Sequence, residues 1–145
     1  MKADNLIIRR ISALLILTGL TLNAGYALAL PEGEEVVSGS AEFSRPDDNT
    51  VNITTSDKAI INYETFNIAQ PETVRFIQPS SSSSALNRVV GINPSEIFGS
   101  IQSNGKIFLV NPNGIFFGPS SRVDTGSFLA STLDIKNEDF QNNKL

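Results

Sequence analysis

Apolar residues recur along this chain in short clusters. Beyond residue 29 they are Val51 with Ile53, Ile60-Ile61 with Tyr63, Phe66 with Ile68, and Val74 with Phe76-Ile77. Val89-Val90, Ile107 to Val110, Ile115 to Phe117, Phe128-Leu129 and Leu133 with Ile135 follow. Asn, Asp, Gly, Pro or Ser separates most of them. Such spacing predicts short strands and an all-β chain, with no long helical periodicity. Thr50 to Thr54 alternates polar and apolar, as a half-buried strand does. Asn104-Gly105 predicts a two-residue hairpin, because both residues accept positive φ. Asn93-Pro94-Ser95-Glu96 predicts a helix of about one turn, with Asn93 as N-cap, Pro94 at N1, Glu96 at N3 and Gly99 as its stop. Pro79 and the serines Ser80 to Ser84 predict a flexible surface link. Leu30 to Gly39, with its Pro, Gly and Glu, predicts a loose cap.

A sandwich or a barrel fits short strands as well. A parallel β-helix is favoured because its coils need short strands, tight corners of Asn and Gly, and inward stacks of Val, Ile, Leu and Phe. A strict repeat is not evident by eye.

The first 29 residues differ from the rest. Lys2, Arg9 and Arg10 form a positive start, Ile11 to Leu22 an apolar core, and Ala27-Leu28-Ala29 supplies small residues at the −3 and −1 positions of a signal peptidase site. The apolar run is shorter than the roughly 20 residues that span a bilayer. Residues 1–29 are therefore expected to be a Sec signal cleaved after Ala29, and residues 30–145 one domain with no membrane-spanning helix.

Removing residues 1–29 from the 145 leaves 116 residues with 8 basic and 14 acidic side chains, a net charge of −6. Nucleic-acid binding is disfavoured, since phosphates need Lys and Arg. Cysteine is absent, so an exported chain must be stabilised by buried area and hydrogen bonds. Histidine is absent too, which removes Ser-His and Cys-His pairs and the usual zinc sets. Carboxylate catalysis would fall to Asp47-Asp48 or Glu34-Glu35, in turn-rich sequence where solvated or turn-forming roles dominate. Asp47, Asp48 and Asp57 lack EF-hand spacing for calcium. The sequon Asn52-Ile53-Thr54 reads better as a strand. No catalytic residue, metal or cofactor is expected.

The stretch Ile107 to Pro119 is the centre of the pattern. Two β-branched and aromatic runs flank Asn111-Pro112-Asn113-Gly114. Pro112 suits position i+1 of a turn, Asn113 i+2 and Gly114 i+3.

From Ile60 to Ile135 the chain resembles the N-terminal domain of filamentous haemagglutinin-type proteins, the secretion domain of two-partner secretion exoproteins. The blocks that carry the resemblance are Tyr63 to Ile68, Val74 to Pro79, Ala85 to Val89, Asn93 to Gly99, Gly105 to Ile115, Phe117-Gly118 and Leu129 to Leu133, in that order. A second family motif, NPNL, is missing near Ser80–Ser84. The resemblance implies a right-handed parallel β-helix with an N-terminal cap and extra-helical strands, the Asn104-Gly105 hairpin among the candidates. It also implies Sec export to the periplasm, engagement of the POTRA domains of an outer-membrane barrel transporter, and release or surface display of an exoprotein whose β-helix this domain templates. The residues implied for secretion are Asn111, Pro112, Asn113, Gly114 and Ile115. Family members continue through more coils, so the polar end Lys136 to Leu145 is expected to be uncapped and the domain C-terminally truncated. The rival readings are a stand-alone adhesin or carbohydrate-binding domain and a non-functional gene fragment. Nine Phe but no Trp and two Tyr supply a sugar platform poorly.

Overall fold

Residues 29–145 are described by a computed structural model of the chain; the expected signal falls almost wholly outside them. Thr50–Thr55 alternates buried and partly exposed side chains, and this strand, the third of the chain, begins the first regular coil. Two strands precede it. β1 (Glu35–Ser38) and β2 (Ala41–Asp47) run antiparallel to β4 (Ala59–Tyr63) and β3 (Thr50–Thr55) respectively, and cap the first coil.

Thereafter the chain winds around three faces. The first carries β3, β5 (Thr73–Ile77), β8 (Ser100–Ser103) and β11 (Arg122–Asp124), all parallel. On the second lie β4, β6 (Ser84–Val89), β9 (Lys106–Val110) and β12 (Ser127–Ser131), again parallel. The third holds β7 (Ser95–Ile97) and β10 (Ile115–Phe117), with a parallel bridge from Ile68 to Ile97. This is the parallel β-helix expected from the corner and core composition.

Register builds the core. Val51, Val74, Ile101 and Val123 stack rung upon rung on the first face. Ala59, Ala85, Ile107 and Phe128 do so on the second. Each buried methyl-bearing layer is shielded by the layers on both sides, so burial is nearly complete in the middle rungs. One polar pair lies inside: Tyr63 donates its hydroxyl to Asn87 Oδ1 at 3.1 Å, and both are buried. Burial, then the charge of Glu34, pushes the Tyr63 phenol well above its ordinary value, against the opposing pull of Arg45.

Four expectations are corrected. Asn104-Gly105 joins β8 to β9, which lie on different faces, so it is a corner and not a hairpin. Asn104 donates to Gln78 O and accepts from Gln78 N, copying a ladder rung onto the coil below. The antiparallel hairpin is instead β2–β3. Asn93 to Gly99 contains strand β7 rather than a helix, because Ile115 to Phe117 and Ile68 pair with it. Gly99 is there for space: a Cβ would lie 2.3 Å from Glu72 O. The serine run lies at the surface from Ser80 to Ser82 but is a closed turn and not a loose link, with Ser83 donating to Ser80 O and Ser83 and Ser84 buried. Leu30 to Gly39 is tied down by core burial of Leu30 and by a bridge from Glu32 to Thr65.

The polar end folds back along the outer side of the second face and leaves the ladder edges of β10, β11 and β12 open. Asn137–Gln141 forms helix α1, and Phe140 is fully buried on the outer side of the second face, against Ile60, Leu86 and Val110. Arg88 clamps the approach to α1 by donating to Asp134 at 2.7 Å, Ile135 O at 2.6 Å and Asn137 at 2.9 Å.

Candidate functional site

Asn111 leaves the end of β9 fully buried, and its side chain organises the turn that follows. Its Nδ2 donates to Asn93 O at 3.1 Å and to Ser95 Oγ at 2.9 Å on the coil below. Its Oδ1 accepts from Asn113 N at 3.0 Å, closing an Asx turn. Gly114 N donates to Asn111 O at 3.0 Å, so the four residues form the expected turn with Pro112 and Asn113 at its tip. Gly114 has φ +113°, while the nearest atom to an added Cβ would be Pro94 Cβ at 3.8 Å. The glycine is required by backbone conformation and not by crowding.

Pairing with the coil below completes the site. Ser95 N donates to Gly114 O, and Asn113 Nδ2 donates to Gly91 O at 2.8 Å. Ile115 then enters β10 opposite Ser95, half-buried against the core. Pro112 and Asn113 are exposed. Gly91, which accepts from Asn113, is flanked in the chain by Ile92, 85% exposed, and Val90, 55% exposed, while Phe116, also 55% exposed, follows Ile115. The result is a polar turn fixed by hydrogen bonds on both sides, with exposed apolar side chains on the adjoining chain segments. Such a surface can present a fixed shape to a protein partner. From the sequence Ser95 reads only as part of a helix start and not as a site residue. Its signal was the echo of Asn93-Pro94-Ser95 in Asn111-Pro112-Asn113, one coil later.

The other candidates fall elsewhere. Ala27 lies outside the described residues; Ala29 opens them, its N–H donating to the Glu72 carboxylate at 2.7 Å. Asp47 accepts from Asn49 N within the β2–β3 turn. Glu34 lies 3.5 Å from Arg45. Asp57 accepts from Ser84 N at 2.9 Å, a bond between neighbouring coils. Asn52 sits inside the first sheet with its Oδ1 buried and without a hydrogen-bond partner, a poor acceptor for a glycan. Among the described residues no group of three or more His, Cys, Asp or Glu is placed to hold a metal ion. No helix among them is long and apolar enough to cross a membrane.

The profile of the TPS secretion domain matches residues 27–145. The chain belongs to the TPS secretion domain family. The structure of the HMW1 secretion domain from Haemophilus influenzae is similar, with a TM-score of 0.76 and 42% identity. That similarity covers 78% of this chain and 30% of the other. Two heme/hemopexin-binding proteins of Haemophilus influenzae are 36% and 35% identical over 126 and 127 residues. Each alignment takes in 86% of this chain and 14% of the relative, so this TPS domain spans a small part of those proteins' length.

Proposed function

We propose that this TPS domain is the secretion signal of a two-partner secretion exoprotein, recognised by the periplasmic POTRA domains of an outer-membrane barrel. It reaches the periplasm by the Sec route and carries no catalytic function of its own. The match of residues 27–145 to the TPS secretion domain carries this reading. The site suits recognition, since a turn held by Asn111 on both sides presents Pro112, Ile92 and Phe116 without further ordering cost.

In this proposal the domain also templates folding outside the cell. β10, β11 and β12 each end a ladder, so their outer edges are available to a following coil in parallel register. Val123 and Leu129, 41% and 40% exposed, are apolar surface that such a coil would cover. The heme or hemopexin binding of the longer relatives is not carried over. Co-expression with a partner barrel tests the reading, by comparing processed chain in the medium with that in the periplasm. Partner-dependent release supports it. Retention in the periplasm, persisting when the chain is extended C-terminally by further coils, overturns it.

A further inference from the structure

Glu72 is 1% exposed, yet the ion pairs among the described residues are Arg45 with Glu34 and Arg88 with Asp134. A buried carboxylate is costly unless hydrogen-bonded and paired with a cation. Here Oε2 accepts from Ala69 N at 2.7 Å and Oε1 from Ala29 N at 2.7 Å. The first bond closes the local turn from Ala69 to Glu72, whose backbone is also joined by a 2.7 Å hydrogen bond. That local role needs one oxygen only. The other faces the residue that ends the expected signal.

Hydrolysis of the Ala29–Leu30 peptide bond takes up one water. It sends the Ala29 carboxylate away with the leader and leaves Leu30 with an α-amine, protonated at neutral pH. The neutral donor on Oε1 is then gone. The new nitrogen lies one residue step along the chain, about 3.8 Å, next to the space that Ala29 vacates. It cannot wander, because Leu30 is buried in the core and Glu32 donates to Thr65 O at 3.0 Å.

We propose that Glu72 is the receptor for the α-ammonium that signal cleavage creates at Leu30, so that processing itself completes the N-terminal cap. The proposal rests on cleavage after Ala29. It gives the buried carboxylate a cation, which no ion pair among the described residues supplies, through a charge-assisted hydrogen bond. It also makes the cap weaker in the precursor than in the processed chain.

The test uses processed protein recovered from the periplasm. Intact mass gives the first residue, and a start other than Leu30 overturns the cleavage reading and this proposal together. With Leu30 first, limiting acetylating reagent is applied, with the side-chain amines of Lys58, Lys106 and Lys136 as internal references. The Leu30 amine is expected to react at least tenfold more slowly in the wild type than in Glu72→Gln. Equal rates in two folded proteins overturn the pairing but leave the cleavage reading standing. If Glu72→Gln does not fold, an NMR titration of the wild-type Leu30 amine decides. A midpoint above about 8 supports pairing, since burial alone lowers an ammonium. A midpoint at or below that value overturns it.

Discussion

Asn111 and Ser95 lie on successive coils, and the Asn111 amide donates to the Ser95 hydroxyl at 2.9 Å with both side chains fully buried. This contact makes the turn from Asn111 to Gly114 a property of two coils and not of four residues. Asn111→Ala leaves Ser95 Oγ, Asn93 O and Asn113 N without their partner. The expected loss is about 1–3 kcal/mol, read by urea denaturation of the processed chain. Export with the partner barrel should fall while cleavage of the leader is unchanged; normal export would remove Asn111 from the site.

Gly114→Ala tests conformation separately from contact. No atom lies close to the added Cβ, but φ +113° disfavours any side chain. A destabilisation of about 1 kcal/mol or somewhat more follows, seen as a lowered melting temperature. An unchanged melt would mean that the turn relaxes without cost.

Much of this arrangement is legible in the sequence, and the misses share one cause. The inward stacks could be foreseen because Val51, Val74, Ile101 and Ile107 stand in β-prone clusters between Asn and Gly corners. The repeat stayed hidden because its length varies. Ile115 pairs with Ser95, 20 residues back, whereas Ser100 pairs with Thr73, 27 back. Local signals then prevailed over non-local pairing. Asn104-Gly105 has hairpin chemistry, yet the strands on either side find partners in neighbouring coils. Asn93 to Glu96 has helix-start chemistry, yet its backbone groups are taken by Gly114 O and Asn67 Oδ1. The C-terminal helix was missed because Phe140 stands alone among polar residues and finds its apolar partners on the outer face of coils far back in the chain.

Phe140 tests how α1 holds the second face. Its ring stands edge-on to Phe108 at 5.4 Å, and its carbonyl accepts from Lys58 Nζ at 3.1 Å. Phe140→Ala should cost about 3 kcal/mol or more and expose Ile60, Leu86 and Val110. Hydrogen exchange should quicken in β4, β6 and β9 while β5 and β8 stay protected. Uniform protection across both faces would mean that α1 does not stabilise the stack.

Tyr63 sets an alkaline limit. Its phenol is held neutral by burial, so its folded value lies above the unfolded value of about 10. Above that pH the unfolded chain releases the proton and the folded chain keeps it. The unfolded state then binds fewer protons, and stability falls as pH rises. The contribution is fully present below about pH 10 and is lost above it, by up to about 1.4 kcal/mol per pH unit. With cleavage after Ala29, as proposed, Tyr63 would be the single tyrosine of the processed chain, and its absorbance would report this directly. Tyr63→Phe should flatten the alkaline slope, at a neutral-pH cost of about 1 kcal/mol for the lost bond to Asn87.

Ile92 separates recognition from folding. It is 85% exposed beside the turn, and its own backbone is not needed to hold Asn111, which bonds to Asn93 and Ser95 instead. Ile92→Asp should therefore leave the melting temperature nearly unchanged, within about 0.5 kcal/mol. If these exposed apolar side chains dock on the transporter, a charge among them must be desolvated on binding, and export should fall at least tenfold with the fold intact. The paired result with Asn111→Ala decides how the turn acts. Loss of export in both variants places the contact on those side chains. Loss in Asn111→Ala alone, with Ile92→Asp exported normally, means that the turn serves secretion by shaping the coil stack.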